Sequence, residues 1–454
     1  MTMNSQHRLI AVALIAAATN SSDAQQRPAI RQLGAITAKS AETFSNVGNV
    51  RALSNGAVVI NDVAGRRVIM FDPQLSNLTV VADSTSATGN AYSGRVGNLI
   101  PFRGDSSLFV DPTSVSMLVI DPAGKIARVM AIPRAEDAAA IGSPFGGATY
   151  DPSGRLLYRS LGFGRGFGGP GGGRVQIQGP SNGAARTGPP PMPEIPDSAF
   201  IVAVNLSTRA VDTVGYIRTP KVKMEMQQLD GGGFRMQSLL NPLPVIDDWA
   251  ITSDGAVAFV RGRDYHVDWV KPDGSKVTSS KIPFDWQRMT DDDKAAFIDS
   301  VKAARERAGA NAPLLAGGAV PQGGGGGGTP QVMIFQGGPG GGGGPGGGPQ
   351  GNRAQAQQNF QVAFVPPSEL PDYKPAFFAN STRADTEGNL WIRTIPTTGI
   401  AGGPVYDVIN RKGEIVERVQ IPENRTIVGF GSGGSVYLLH RDGATATIER
   451  ASVR

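Results

Sequence analysis

The sequence contains no cysteine. That excludes a disulfide framework, a thiolate metal site and a thiol nucleophile, so the chain must hold itself by packing alone. Histidine is nearly as scarce, with three in 454 residues, and aromatic residues make up only 7%. No Ser-His-Asp order and no Gly-x-Ser-x-Gly elbow is present. None of the glycine runs leads through Gly-Lys-Ser or Gly-Lys-Thr into a helix, which excludes a phosphate-binding P-loop. The formal charge of +5 is spread without a dense basic block. That pattern reads as a solvated surface, with a weak lean toward anionic partners and none toward nucleic acid.

What the sequence has in excess is backbone punctuation, with 61 glycines and 33 prolines. Some of it falls in low-complexity runs. Much of the rest falls at regular turn positions. In Trp249 to Pro283, Ser253-Asp254-Gly255 and Lys271-Pro272-Asp273-Gly274 are turns, because Asp bonds its own backbone and Gly takes positive φ. Between them apolar and polar residues alternate, as in Tyr265, Val267 and Trp269 against His266 and Asp268, the period of a strand.

The same order of strand, turn, strand, loop, strand, turn, strand recurs. It is read in Leu53 to Asp83, in Arg103 to Pro133, and in Ala148 to Arg155 continued by Ala199 to Pro220. Trp249 to Pro283 is the fourth copy, Ala384 to Pro422 the fifth, and Thr426 to the end the sixth. A four-stranded meander cannot bury its own faces, so six copies predict an all-β fold, a six-bladed β-propeller. A two-sheet sandwich is the competing arrangement, but it does not explain six similar units. The last copy is one strand short, and Ile30 to Phe44 is the segment available to complete it and close the ring.

The phrase ADTEGNLWIRT, beginning at Ala384, and the Asp-x-x-Gly turns at Asp151 and Asp385 resemble the strand-turn-strand signature of NHL and TolB-like six-bladed propellers. The resemblance covers most of the chain outside the inserts. It implies a bacterial exported propeller and specifies architecture rather than activity.

At the N-terminus, His7-Arg8 precede the apolar run Leu9 to Ala18. The run is too short to span a bilayer and fits a signal peptide over residues 1–24, cut after Ala24. The expected location is periplasmic or secreted, as a monomer without a transmembrane segment. Residues 25–454 are then a single propeller.

Two inserts interrupt the ring. Residues 162–196 are rich in Gly and Pro and read as disordered. Residues 284–371 contain a short helix at about 291–308. Thr290 is its N-cap, Asp291, Asp292 and Asp293 fill its positive first turn, and Arg305 and Arg307 its negative end. Phe297, Ile298, Val301 and Ala304 form its apolar face, expected to dock on the propeller's own side. Residues 317–358 are Gly-rich and expected to be disordered, with one apolar island at Gln331 to Gln336.

Propeller ligands gather on one face. If each first strand runs away from that face and each second strand returns, the ends of the second strands share a rim. This places Asp62 (after Asn61), Asp111, Arg159, Arg261, Arg393 and His440 there. Three arginines offer planar forks for carboxylate or phosphate, so the rim reads as a site for an anionic or sugar-acid ligand. The competing reading is that each arginine pairs with an aspartate of its neighbour. His266 lies between Asp264 and Asp268, and either a metal or proton-relay role or an ordinary strand histidine follows. Asp247 and Asp248, with Asp111, are the acids from which a Ca²⁺ site would be built. No other cofactor is expected.

Two functions are compatible with this pattern. The first is a non-enzymatic binding or scaffolding propeller for a protein, glycan or anionic small molecule. The alternative is a metal-dependent lactonase or hydrolase acting on an anionic small molecule. Fold alone does not choose between them.

Overall fold

The computed structural model describes residues 27–85, 90–93, 97–144, 147–160, 196–221, 223–228, 234–308, 360–397, 401–443 and 445–453. Six antiparallel sheets follow one another along the chain as the blades of a propeller. Blade 1 comprises Val47–Ala52, Val58–Asp62, Arg67–Phe71 and Leu78–Asp83. Blade 2 comprises Asn98–Pro101, Ser107–Asp111, Ser116–Ile120 and Ile126–Ala131. Blade 3 is Thr149–Tyr150, Arg155–Arg159, Ser198–Asn205 and Val211–Arg218, and blade 4 is Asp248–Ile251, Val257–Arg261, His266–Val270 and Lys276–Thr278. Phe377–Ala384, Leu390–Thr394, Val405–Ile409 and Ile415–Gln420 form blade 5. Arg425–Gly431, Ser435–Asp442 and Thr445–Ser452 form blade 6.

The N-terminal segment completes the ring. Ile36–Lys39 pairs antiparallel with the last strand of blade 6. Just before it, Ile30–Gln32 pairs parallel with the outer strand of blade 5. One segment therefore covers the outer edges of two blades, one of them at the junction of the two chain ends.

Each pair of neighbouring blades shares its own apolar cluster. Val59 and Val68 meet Leu99 and Phe109 between blades 1 and 2, and Leu108 and Met117 meet Leu156 and Tyr158 between blades 2 and 3. Leu157 and Ile201 meet Trp249 and Phe259 between blades 3 and 4, and Val260 and Trp269 meet Leu390 and Ile392 between blades 4 and 5. Trp391 and Val408 meet Val436 and Leu438, and Tyr437 and Leu439 close on Val58 and Ile60. Six clusters close the circle. This explains why the second strands do not alternate: Val58–Asp62 and Ser107–Asp111 are buried at every position, because both faces of a blade are covered.

The turns joining first to second and third to fourth strands lie on one face and are short. Their aspartates cap them, as expected from the repeat. Asp151 accepts bonds from the Arg155 N–H and side chain at 2.8 Å. Asp385 accepts from the Glu387 and Asn389 N–H groups and from the Trp391 indole at 3.0 Å. Gly154 and Gly388 carry φ of +92° and +87°, a region L side chains avoid.

The long connections leave from and return to the opposite, loop face. The link between blades 3 and 4 holds the hairpin Lys223–Gln228 and Phe234–Leu240. Phe360–Phe364, from the link between blades 4 and 5, adds parallel to it as a third strand. The repeat does not announce this small sheet. The helix Asp291–Ala308 packs beside it, burying Val301 and clustering Ile298 with Leu239, Leu243, Leu370 and Ile395. Its N-terminus is a reciprocal box in which Asp293 N–H donates to Thr290 Oγ1 at 3.2 Å and Thr290 N–H to Asp293 Oδ2 at 2.9 Å, as the capping residues require. A second, one-turn helix, Ala138–Ile141, lies in the link between blades 2 and 3. The stretches 1–26, 161–195 and 309–359, on which the expected signal peptide, most of the first insert and the Gly-rich run fall, lie outside the described residues. No described helix is long and apolar enough to cross a membrane.

Candidate functional site

The loop face carries an open cleft of about 400 Å³ between blades 3 and 4. Four short segments line it: Asp197 and Ser198, Tyr216 and Arg218, Asp247, and the turn from Arg261 to Asp268. They converge for a topological reason. Third strands begin, outer strands end and second strands end on this face, so contributions separated by tens of residues meet across one blade junction.

The turn after the second strand of blade 4 is built tightly. A Cβ on Gly262 would stand 1.9 Å from the Ile246 carbonyl oxygen, so only glycine lets the two loops approach. Tyr265 adopts φ +48° and is buried, with its hydroxyl donating to Asp407 at 3.2 Å. That anchor fixes the residues on either side of it. Asp264 Oδ1 lies 2.7 Å from His266 Nδ1. His266 Nε2 lies 3.4 Å from Asp268 Oδ1. The histidine opens the third strand of blade 4 rather than lying within it.

Arg261 locks the cleft floor. Its Nε donates to Asp268 Oδ2 at 2.7 Å, and one terminal nitrogen donates to Asp247 Oδ2 at 2.8 Å and the Tyr216 carbonyl at 2.9 Å. Its guanidinium carbon stands 5.4 Å from the Tyr216 ring centroid and 5.2 Å from that of Phe259. Burial alone would lower the Arg261 pKa, but the bonds to Asp268 and Asp247 outweigh it and raise it. Asp268 is also held by Thr278 Oγ1 at 2.7 Å. Burial pushes its carboxyl up, the bonds from Arg261 and Thr278 push harder the other way, and the net shift is downward. Both groups are charged and committed to each other.

Adjacent acids diverge here. Asp247 accepts from Arg261, the Arg218 N–H and the Gly262 N–H. Asp248 instead accepts from the Thr382 N–H of blade 5 at 2.9 Å and from the Trp249 N–H. It is 3% exposed. Burial pushes its pKa up to about 6. Consecutive strand positions point to opposite faces, so one acid serves the cleft and its neighbour the next junction.

The other rim positions are tied into their own surroundings. Asp62 accepts from the Gly65 N–H at 2.8 Å and Arg67 Nε at 2.9 Å. Asp111 accepts from Ser93, Thr113 and Ser114. Burial raises its pKa, and these bonds more than offset that and hold it below the ordinary carboxylate range. His440 Nδ1 faces Glu449 at 3.1 Å, which also holds Arg425. Arg393 lies over the Phe378 ring at 5.0 Å, and its buried Nε has no partner among the described residues. Arg159 shares the junction of blades 3 and 4 with Arg261. Burial depresses its pKa, and the charge of Asp248 acts in the opposite direction. The rim is therefore a ring of separate stations, of which only Arg261 belongs to the cleft.

Among the described residues, no three His, Cys, Asp or Glu side chains gather as a metal site. Asp111, Asp247 and Asp248 are each spent on other donors, so the acids considered for Ca²⁺ do not assemble.

Tyr216, Arg218, Arg263, Asp197 and Ser198 are absent from the sequence-based candidates. The only local signal is the polar end of the outer strand, Gly215-Tyr216-Ile217-Arg218, and it has no meaning until blade 4 is placed beside it.

No protein-family model matches the sequence, and no curated protein does. Solved structures do resemble it. A calcium-binding regucalcin from Agrobacterium tumefaciens aligns at 11% identity over 94% of this chain and 98% of its own, with a TM-score of 0.38. A gluconolactonase from Xanthomonas campestris aligns at 10% identity over 94% and 99%, with a TM-score of 0.33. Virginiamycin B lyase from Staphylococcus aureus aligns at 12% over 87% and 77%, with a TM-score of 0.32. Similarity at this level assigns no role to any residue.

Proposed function

We propose that the protein is an exported hydrolase that takes a small anionic molecule into the cleft between blades 3 and 4 and cleaves an ester or lactone bond by general-base chemistry at His266. The observation that carries the reading is the Asp264–His266 pair at 2.7 Å on the cleft wall. Donation from Nδ1–H to Asp264 leaves Nε2 as the acceptor, the arrangement of a carboxylate-oriented base. Asp268 Oδ1, near Nε2, already accepts from Thr278. Nε2 takes a proton from a water molecule, and the resulting hydroxide adds to the carbonyl carbon. The tetrahedral intermediate collapses with expulsion of the alkoxide, which recovers the proton from His266. Arg218 and Arg263, at the cleft wall, hold the anionic end of the substrate.

Asp247 and Asp268 are engaged by Arg261 and Asp264 by His266, which supports a reaction carried by the histidine. The apolar run Leu9 to Ala18 after His7-Arg8 supports export. The Asp151 and Asp385 turns support membership of the NHL/TolB-like group.

The test is hydrolysis of mono-(p-nitrophenyl) succinate, an ester bearing a carboxylate, by the wild-type protein and by His266→Gln, with and without EDTA. A fall of about 10²-fold or more in the variant, at an unchanged melting temperature and without an effect of EDTA, is expected. Equal rates in the two proteins would overturn the catalytic assignment. Ligand binding without any turnover would instead establish the non-enzymatic binding role.

A further inference from the structure

We infer that the molecule this cleft takes is an acidic saccharide, a sugar unit bearing a carboxylate, stacked on Tyr216 and clamped by Arg218 and Arg263. The inference rests on the reading of this cleft as the ligand site and adds the class of ligand.

The first argument is the division of labour among the arginines. Arg261 spends its fork on Asp247 and Asp268. Arg218 and Arg263 line the same cleft and are exposed. Neither guanidinium has a hydrogen-bond or ion-pair partner among the described residues. Two such planar forks beside one cleft match a ligand carboxylate.

The second argument is the aromatic lip. Tyr216 is 59% exposed and Phe200 is 53% exposed. The two are register partners on adjacent strands of blade 3, so they form one apolar strip rather than two scattered rings. Tyr216 belongs to the cleft lining itself. An exposed ring that contributes area at low entropy cost is a stacking platform. The C–H face of a pyranose is apolar while its rim is hydroxylated, and so uses such a ring together with polar neighbours.

The third argument is the rest of the lining. Asp197 and Ser198 offer a carboxylate and a hydroxyl; the carboxylate accepts from sugar hydroxyls and repels a simple anion, and the hydroxyl donates to or accepts from a sugar hydroxyl. An inorganic anion would leave the aromatic strip uncovered. An apolar ligand would strand the charged groups without partners. The cleft, at about 400 Å³, lies within the range of small-molecule sites.

The test is calorimetric titration of the full chain with three probes: digalacturonate, cellobiose and citrate. Digalacturonate is expected to bind at least tenfold more tightly than cellobiose, which lacks the carboxylate, and than citrate, which lacks the ring. Tyr216→Ala should weaken digalacturonate at least tenfold, with binding kept by Tyr216→Phe. The double variant Arg218→Gln, Arg263→Gln should erase the preference over cellobiose. Equal affinities for citrate and digalacturonate, or indifference to Tyr216→Ala, would overturn the inference. If digalacturonate fails to bind while His266-dependent hydrolysis of the ester probe persists, the saccharide assignment falls and the cleft remains the site. If hydrolysis is also indifferent to His266, both readings fall together.

Discussion

The two faces of this propeller are made of similar residues put to opposite uses. On the turn face, many aspartates are consumed locally, although Asp254 also meets Arg411 of blade 5 and Asp105 accepts from Ser54 of blade 1. Asp151, Asp385 and Asp121 each cap the turn they belong to, and Asp121 accepts from the Ala123 and Lys125 N–H groups at 3.0 and 2.8 Å. On the loop face, neighbouring acids part company: Asp247 is spent on Arg261 at the cleft, and Asp248 reaches the backbone of blade 5. The turn face repeats because each turn solves the same local problem. The loop face varies because its connections are released from that problem, and the long links, the helix and the cleft all occur there. Architecture and chemistry are thereby separated onto opposite sides of one ring.

The comparison predicts where substitutions act on stability and where on ligand chemistry. The largest expected effect is structural. Trp391 is 2% exposed between blades 5 and 6 and its indole bonds to Asp385. Trp391→Ala should cost about 3–5 kcal/mol in urea unfolding; a cost below about 1 kcal/mol would mean that the blade junctions do not carry the fold.

Asp248 comes next and breaks the pattern, because it is a loop-face acid whose effect is on stability. Its folded pKa of about 6 stands above the ordinary 3.8, so the folded protein binds the proton more tightly than the unfolded chain. Stability from this group is greatest below the unfolded value, declines as pH rises through the interval, and is fully lost above about 6. Asp248→Asn should remove this dependence. The difference in unfolding free energy between variant and wild type should shift by about 3 kcal/mol between pH 3.5 and 7. Parallel pH profiles of the two proteins would refute the buried, proton-binding state.

Asp264→Asn should act on chemistry instead. It leaves the turn intact and disturbs the orientation of His266, with turnover expected to fall on the order of 10²-fold and stability to change by less than about 1 kcal/mol. A large loss of melting temperature would show that the pair holds the fold rather than serves the cleft.

The smallest effect belongs to a single turn. Gly388→Ala imposes a side chain at φ +87° and should cost about 1 kcal/mol, with turnover unchanged. A change in turnover would show that the faces are coupled through the ring.

Much of the fold was legible. The six copies, the Asp-x-x-Gly turns and the Thr290 cap follow from interactions within four residues, and the segment around Ile36 was identifiable because one strand was missing. The side sheet was not legible, since Phe234–Leu240 and Phe360–Phe364 pair in parallel across more than a blade of intervening chain. The site was half legible. Arg261, Asp247 and the flanked His266 stood out by residue type. Arg393, His440, Asp62 and Asp111 stood out equally, yet they end in separate local networks, because a rim position fixes the face of the molecule and not the partner of the side chain.

The sequence by itself determined the repeat, the turns and hence the ring, because these depend on apolar strands set between regularly spaced turns and on short-range backbone geometry. Only the tertiary structure decided which polar residues meet. The cleft joins Asp197, Tyr216, Asp247 and His266 across the junction of two blades. Their convergence is set by the packing of Leu157 and Ile201 on Trp249 and Phe259 beneath them, a long-range contact that no local pattern encodes.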